Sequence, residues 1–318
     1  MSVFITGANG YIAKHIIVQL LKKNYKVIGT VRSQDKGEFI TKQFNNDNFK
    51  YLTIPDYLDT QAFNLIKNHP NISTVIHTTA FFDKNNAKTN SNVTESAICS
   101  TKNILDSIKN FGFNINSVVL TSSSVSAMPI KKRVSECNET TWNDFEESDV
   151  TNNALAYNYG KTVSEKYAWD YINKNNQKYS FSTILPSYTF GPQAFDNDIK
   201  STLNKSPEII NSIVTKNIIP KSVTAANCID VRDVAKAHII AFEQKLNQRL
   251  ILANEYFTIH DMIEIIKDKY PKLELPSVKQ AKVRKFMNNT RSKQALGFEF
   301  ISFKQSVLDT VDQILKSK

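Results

Sequence analysis

Ser2-Val3-Phe4-Ile5-Thr6-Gly7-Ala8-Asn9-Gly10-Tyr11-Ile12-Ala13 is the stretch whose reading decides the fold. An apolar, β-branched run breaks at two glycines and passes at once into a helical pattern. Tyr11 to Lys22 places Ile12, Ile16 and Leu20, with Ile17 and Leu21, on one side. The turn has the form G-x-x-G-x-x-A. Glycines there let the backbone turn tightly and approach a pyrophosphate, and a helix N-terminus offers unpaired N–H groups to it. Ala13 is small enough for close helix–strand packing. The turn residues Gly7, Ala8, Asn9, Gly10, Tyr11 and Ile12 are therefore the expected dinucleotide cradle.

Outward from this unit the same rhythm repeats. Short buried-strand runs fall at Lys26 to Val31, Tyr51 to Ile54, Thr74 to Thr78, Ser117 to Thr121 and Ser180 to Leu185. Helical patterns separate them, the longest at Ala87 to Asn110 and Leu155 to Asn173. Strand and helix in alternation predict an α/β fold, a Rossmann-type doubly wound parallel sheet with helices on both faces. After Pro186 the rhythm changes. Gly191-Pro192, an acidic turn at Asp196 and Asp198, and a helix over Ser206 to Val214 precede another strand–helix unit, Cys228 to Phe242. A strand at Arg249 to Ala253 follows, then a helix over Ile259 to Lys269 capped by Thr258 and a last helix over Phe303 to Lys316. This predicts a dinucleotide-binding domain over 1–186 with 228–256. A smaller C-terminal substrate-binding lobe takes 187–227 with 257–318.

Bulk properties narrow the function classes. The chain has 318 residues, 41% hydrophobic and 22% charged, as in ordinary globular proteins. Its formal net charge of +10 suits an acidic partner, yet the lysines are dispersed and no nucleic-acid-binding motif accompanies them, so nucleic acid is not expected. Cys99, Cys137 and Cys228 lack paired spacing, and the five histidines lack ligand spacing, so neither disulfides nor a metal is expected. No apolar run reaches about 18 residues and nothing resembles a targeting segment, which makes cytoplasm the expected location and a membrane an unexpected partner.

The cofactor type is read at the end of the second strand. An NAD site places an acid there, about 20 residues after the glycine turn, for the ribose 2′-hydroxyl. Here the residue is Arg32, whose guanidinium can grip a 2′-phosphate, with Lys36 adding a second positive charge. NADP(H) is expected. Asp56, after the third strand, is a candidate acceptor for the adenine amino group, or simply a turn-forming residue after Pro55.

Tyr157 and Lys161 form Y-x-x-x-K, and no other tyrosine of the 12 has a lysine four residues on. On a helix the two share a face, where the ammonium is expected to stabilise a tyrosinate and lower the phenol's pKa. Such a tyrosine can give a proton to a carbonyl oxygen as hydride reaches its carbon. Ser123, in Thr121-Ser122-Ser123-Ser124 at the end of the fifth strand, can hydrogen-bond that oxygen. His77 ends the fourth strand and reads as a sheet-edge structural residue. No G-x-S-x-G or P-loop occurs. Phe81, Phe82, Ser124, Tyr188 and Phe195 are candidate pocket walls, suited to a small apolar or aromatic carbonyl compound.

These motifs, with Phe190-Gly191-Pro192-Gln193 and Ile229-Asp230-Val231-Arg232-Asp233-Val234-Ala235-Lys236-Ala237-His238, resemble the extended short-chain dehydrogenase/reductases. Within them the chain is similar to the fungal NADPH-dependent methylglyoxal reductase (3-methylbutanal reductase) group, which is related to plant dihydroflavonol reductases. The resemblance spans nearly the whole chain. It implies NADPH-dependent reduction of aldehydes and ketones, with Ser123, Tyr157 and Lys161 catalytic. The cofactor contacts it implies are Gly7 to Ile12, Arg32, Lys36, Asp56, Tyr157, Lys161, Thr189 and Ser206. It also implies that the long helices could form a homodimer's interface; monomer and homodimer both remain open. Thr79 with Phe81, Ser124 and Leu185 depart from the group's pattern near the nicotinamide or substrate. A sugar-nucleotide epimerase or hydroxysteroid dehydrogenase on the same fold, and a dinucleotide sensor without activity, are the alternatives. Arg32 argues against the first, and the complete serine–tyrosine–lysine set against the second.

Overall fold

The computed structural model describes residues 1–79, 93–132, 134–220, 223–281 and 287–317. Strand β1 (Ser2–Thr6) leads into α1 (Tyr11–Lys22), β2 (Lys26–Val31), α2 (Gln34–Phe44), β3 (Phe49–Thr53), β4 (Ile72–His77), α3 (Val93–Phe111), β5 (Ser117–Thr121), α4 (Asn153–Lys174) and β6 (Ser180–Pro186). Then come β7 (Tyr188–Phe190), α5 (Lys205–Lys216), β8 (Ala225–Asp230), α6 (Val231–Glu243), β9 (Arg249–Leu252), β10 (Glu255–Thr258), α7 (Ile259–Lys269), α8 (Thr290–Leu296) and α9 (Phe303–Lys316).

Seven strands form one parallel sheet in the order β3-β2-β1-β4-β5-β6-β9. The strands β1, β4, β5, β6 and β9 are buried at every residue, which is why they read as uninterrupted apolar or small runs. The order reverses between β1 and β4, so the chain leaves their carboxyl ends in opposite directions and opens a crevice there. On one face α1 and α6 pack over β1, β5 and β6, with Ile16, Ile17, Leu20, Val234 and Ala237 in a shared core. On the other, α3 and α4 pack together, and Ile104, Leu105, Ile108 and Ala168 close over Val75 and Val118.

A second sheet of three strands, β10-β8-β7, is antiparallel between β10 and β8 and parallel between β8 and β7. Its core joins Phe190, Phe257 and Phe303 to the apolar faces of α5, α7 and α9. Thr258 caps α7 in a reciprocal box with Asp261, the start read from sequence. Residues 225–230 run in the small sheet and 249–252 in the large one, so the 228–256 segment serves both sheets. The helix expected from Ala87 is described from Val93 onward. Among the described residues no helix is long and apolar enough to cross a membrane.

Ile16 lies at the centre of the α1–sheet contact and is 0% exposed. Ile16→Ala should destabilise the fold by about 2–5 kcal/mol, the range for truncating a fully buried aliphatic residue. Urea denaturation of the two proteins checks it, and a loss below about 1 kcal/mol would show that α1 is not anchored as described.

Candidate active site

The glycine turn leaves β1 through Gly7, whose φ is +69°. A side chain there would be strained, and a Cβ would fall 2.6 Å from Thr79 Cγ2. Gly7 N–H donates to Thr30 Oγ1 at 3.1 Å and Ala8 N–H to the Thr30 carbonyl at 2.8 Å, which ties the turn to the end of β2. Gly10 is the N-cap of α1 and supplies no side-chain cap, and the first turn holds no acidic residue. The first intrahelical bond is Lys14 N–H to Gly10 O. The N–H groups of Tyr11, Ile12 and Ala13 thus precede the ladder and, with the helix dipole, suit a phosphate. Asn9 and Gly10 are exposed beside them.

Arg32 follows β2 and is exposed, with its guanidinium 5.9 Å from the Tyr57 ring centre. Tyr57 is itself held by a 3.0 Å hydroxyl contact to Thr30. Lys36 lies in the first turn of α2 and is exposed, like Arg32. Asp56 Oδ1 accepts the Leu58 N–H at 2.8 Å, so the turn-forming role is visible in its own contacts. These features fit a dinucleotide with a 2′-phosphate: an open helix N-terminus, a glycine backbone and two exposed cations.

Across the crevice, α4 is capped by Asn152, whose side chain accepts from Ala154 and Leu155 N–H. The cap sets the first turn, and Tyr157 follows directly after it. The Tyr157 phenol is hydrogen-bonded to Ser123, which starts a short 3-10 turn directly beyond β5. Lys161 Nζ donates to the Thr121 carbonyl at 2.9 Å. Sequence reading expects a phenol lowered by its lysine. In the structure burial pushes Tyr157 above its ordinary value, and the Ser123 hydrogen bond pulls the other way. The desolvation of the helix face outweighs the stabilising contact. Tyr188 on β7 lies near Tyr157: burial, and after it the Tyr157 phenol, push the Tyr188 hydroxyl above its ordinary value.

The remaining expected residues scatter. Ser124 is buried in the 3-10 turn beside Ser123. Thr189 is buried with its hydroxyl on the Ser187 carbonyl at 3.0 Å, and Ser206 is half-buried in the first turn of α5. Phe195 packs on Phe44 at 5.4 Å between ring centres, with the Lys14 ammonium 5.9 Å from its face. Those contacts tie the 190s loop to α1 and α2. Phe81 and Phe82 lie outside the described residues. Tyr11 gives its hydroxyl to the Gly191 carbonyl at 2.7 Å, so its side chain grips the second lobe and only its backbone is left for a cofactor.

Sequence reading missed Thr30, which holds the glycine turn, and Glu165, whose buried carboxylate lies one helical turn beyond Lys161. The i+4 continuation of Tyr157 and Lys161 was the available signal for Glu165. His77 ends β4 as a structural residue: Thr6 Oγ1 is 3.0 Å from Nδ1, Phe63 packs edge-on, and burial with the Lys161 charge lowers its pKa to about 3.

The family described as NAD dependent epimerase/dehydratase matches residues 3–252. The chain belongs to that family. It is 37% identical to the NADPH-dependent methylglyoxal reductase GRE2 of Saccharomyces cerevisiae, over 99% of this chain and 98% of the relative. Among solved structures it resembles Gre2 of Candida albicans in complex with NADPH, with TM-score 0.91 and 39% identity over 100% of this chain and 99% of that one. A UDP-glucose 4-epimerase of Thermotoga maritima superposes with TM-score 0.76 at 16% identity, over 100% of this chain and 99% of that one, which shows the shared fold alone.

Three buried histidines make stability pH-dependent. Burial lowers His15 and His238 to about 4 and His77 to about 3, against 6.5 ordinarily. Below about pH 6.5 the unfolded chain takes protons that the folded chain refuses, so these groups lose stability as pH falls. Asp233, raised by burial to about 6, works in the opposite sense between about pH 4 and 6. Three protons against one leave a net gain in stability on going from pH 4.5 to 7, of the order of 1 kcal/mol per pH unit for each unbalanced group. Urea midpoints across that range test the sign, and His77→Gln should flatten the slope.

Proposed function

We propose that this chain is an NADPH-dependent reductase of aldehydes and ketones, with Tyr157 as proton donor. The hydrogen-bonded Ser123–Tyr157 pair, with Lys161 one turn on at the same strand edge, is the observation that carries the reading. The first turn of α1 with Gly7 and Gly10 would hold the pyrophosphate, and Arg32 with Lys36 the 2′-phosphate. NADPH supplies the hydride. Ser123 holds the substrate oxygen, and the buried phenol, kept protonated by its surroundings, gives that oxygen its proton. The Lys161 ammonium, steadied by the Thr121 carbonyl, stabilises the tyrosinate left behind. In the resembled family this lysine also binds the nicotinamide ribose.

The second sheet with α5, α7 and α9 forms the substrate lobe in this reading, and Tyr188 is its contribution beside Tyr157. Small carbonyl compounds of the methylglyoxal or branched aliphatic aldehyde kind are the substrate class, and a monomer or a homodimer would serve. A sugar-nucleotide epimerase would carry an acid where Arg32 stands and would oxidise and re-reduce its substrate without net consumption of cofactor.

The purified protein should consume NADPH with a panel of aldehydes and diketones, and NADH far more slowly, followed at the nicotinamide absorbance band. Tyr157→Phe should lower kcat by about 10²–10⁴-fold, the usual worth of a positioned proton donor, with NADPH affinity kept. Arg32→Glu should weaken NADPH binding by about 1.5–3 kcal/mol, the range for hydrogen bonds to a charged group, and spare NADH. No carbonyl reduction by the wild type, despite NADPH binding, would overturn the assignment.

A further inference from the structure

Glu165 is a carboxylate with no exposed side-chain surface, on the same helix as Tyr157 and Lys161 and four residues beyond the lysine. It touches neither the cofactor turn nor the crevice, yet its two oxygens are fully engaged. Oε2 accepts from Ser122 Oγ at 2.6 Å and from Ser126 Oγ at 2.5 Å. Oε1 accepts from Thr183 Oγ1 at 2.7 Å and from Arg249 Nε at 2.8 Å. Arg249 is in turn held by the carbonyls of Glu139 and Thr141 and lies 3.6 Å from the Trp142 ring centre. One carboxylate therefore joins α4, the turn beyond β5, β6 and β9.

A buried ion pair is a poor way to gain stability, because both charges are desolvated. Its value is directional. Ser122 and Ser126 bracket Ser123, and Ser126 Oγ also reaches the Ser123 carbonyl at 2.7 Å. Ser123 sits on a strand end and Tyr157 on a helix, and both must meet one substrate oxygen. Lys161 ties α4 to the strand end at the Thr121 carbonyl. The Glu165 carboxylate adds the tie to the turn itself: it is built into α4 and grips the turn on both sides of Ser123.

We propose that Glu165, clamped by Arg249, is a positioning residue that sets Ser123 against Tyr157 for carbonyl reduction. The inference rests on the reductase reading. The test uses Ser122→Ala with Ser126→Ala, which removes the grip on the turn and keeps the ion pair with Arg249 whole; because Oε2 then loses its hydroxyl donors, the melting temperature is measured alongside. Glu165→Gln combined with Arg249→Met is the second variant, which leaves no unpaired buried charge.

The wild type is assayed first: no turnover of any carbonyl compound defeats the reductase reading itself. Given an active wild type, the serine double variant should lose about tenfold or more in kcat, with the NADPH dissociation constant, read by cofactor fluorescence, within about twofold. A clamp that only supported the fold would move cofactor affinity and melting temperature together with kcat. The decisive arm repeats both variants on a Ser123→Ala background, in single turnover at high enzyme concentration. Since the clamp acts through Ser123, the further loss there should be under about twofold. Full kcat in either folded variant, or an undiminished loss on the Ser123→Ala background, overturns the proposal. So does loss of NADPH binding in parallel with kcat.

Discussion

A parallel sheet ends in backbone groups whose ladder partners have run out, and this protein meets that constraint with hydroxyl side chains at the edge where its crevice opens. Thr6 Oγ1 takes the Thr78 and Thr79 N–H groups and contacts His77, while Thr78 Oγ1 returns a bond to the Thr6 carbonyl. Thr30 takes Gly7 through its side chain and Ala8 through its carbonyl. At β5 the Thr121 carbonyl goes to Lys161 and the Ser122 N–H to Ile184 O. The strand ends are thereby fixed one against another. The same bonds place the glycine turn on one side of the switch point and the serine–tyrosine–lysine set on the other.

Electrostatics inside the molecule follow from that rigidity. The chain carries a formal net charge of +10, and several of its less exposed charges are paired with specific partners. Arg249 meets Glu165, and Arg232 spans Asp230 and Asp309. His238 stays neutral by donating to the Val234 carbonyl and accepting from Thr121. Lys161 lies on the Tyr157 helix face with its ammonium on the Thr121 carbonyl, and its charge adds to burial in keeping His77 neutral.

The sheet was legible because buried parallel strands write themselves as short apolar runs, and β1, β2 and β5 begin and end where those runs do. The helix α2 was not legible: among its 11 residues only Gly37 and Ile40 are buried, so no apolar stripe marks it and Gln34-Asp35-Lys36 reads as loop. β7 and β10 have three and four residues and exist through pairing with β8, too short to mark themselves as strands. At the site, helical spacing and strand position were enough to bring Ser123, Tyr157 and Lys161 to one strand edge. The direction of the phenol's pKa could not be read, because spacing shows the lysine and conceals the burial. The contacts of Phe195 with Phe44 and Lys14 were hidden for a related reason: they come from segments far apart in the chain.

The glycine helix does more than offer its N-terminus. Its outer side carries Tyr11, Lys14 and His15, and each reaches into the segment after β7: Tyr11 to the Gly191 carbonyl, His15 to the Pro192 carbonyl, and Lys14 to Asp198. Gly191 itself turns with φ +121°, and a Cβ there would fall 2.9 Å from Val231, so the chain passes close against the start of α6. Asp230 then links that helix start to Ser306 of α9. One helix thus meets the cofactor turn at its end and the second sheet's loop along its side. Whatever orders the first turn of α1 therefore acts on an element already hydrogen-bonded along its side to the segment that follows Tyr188.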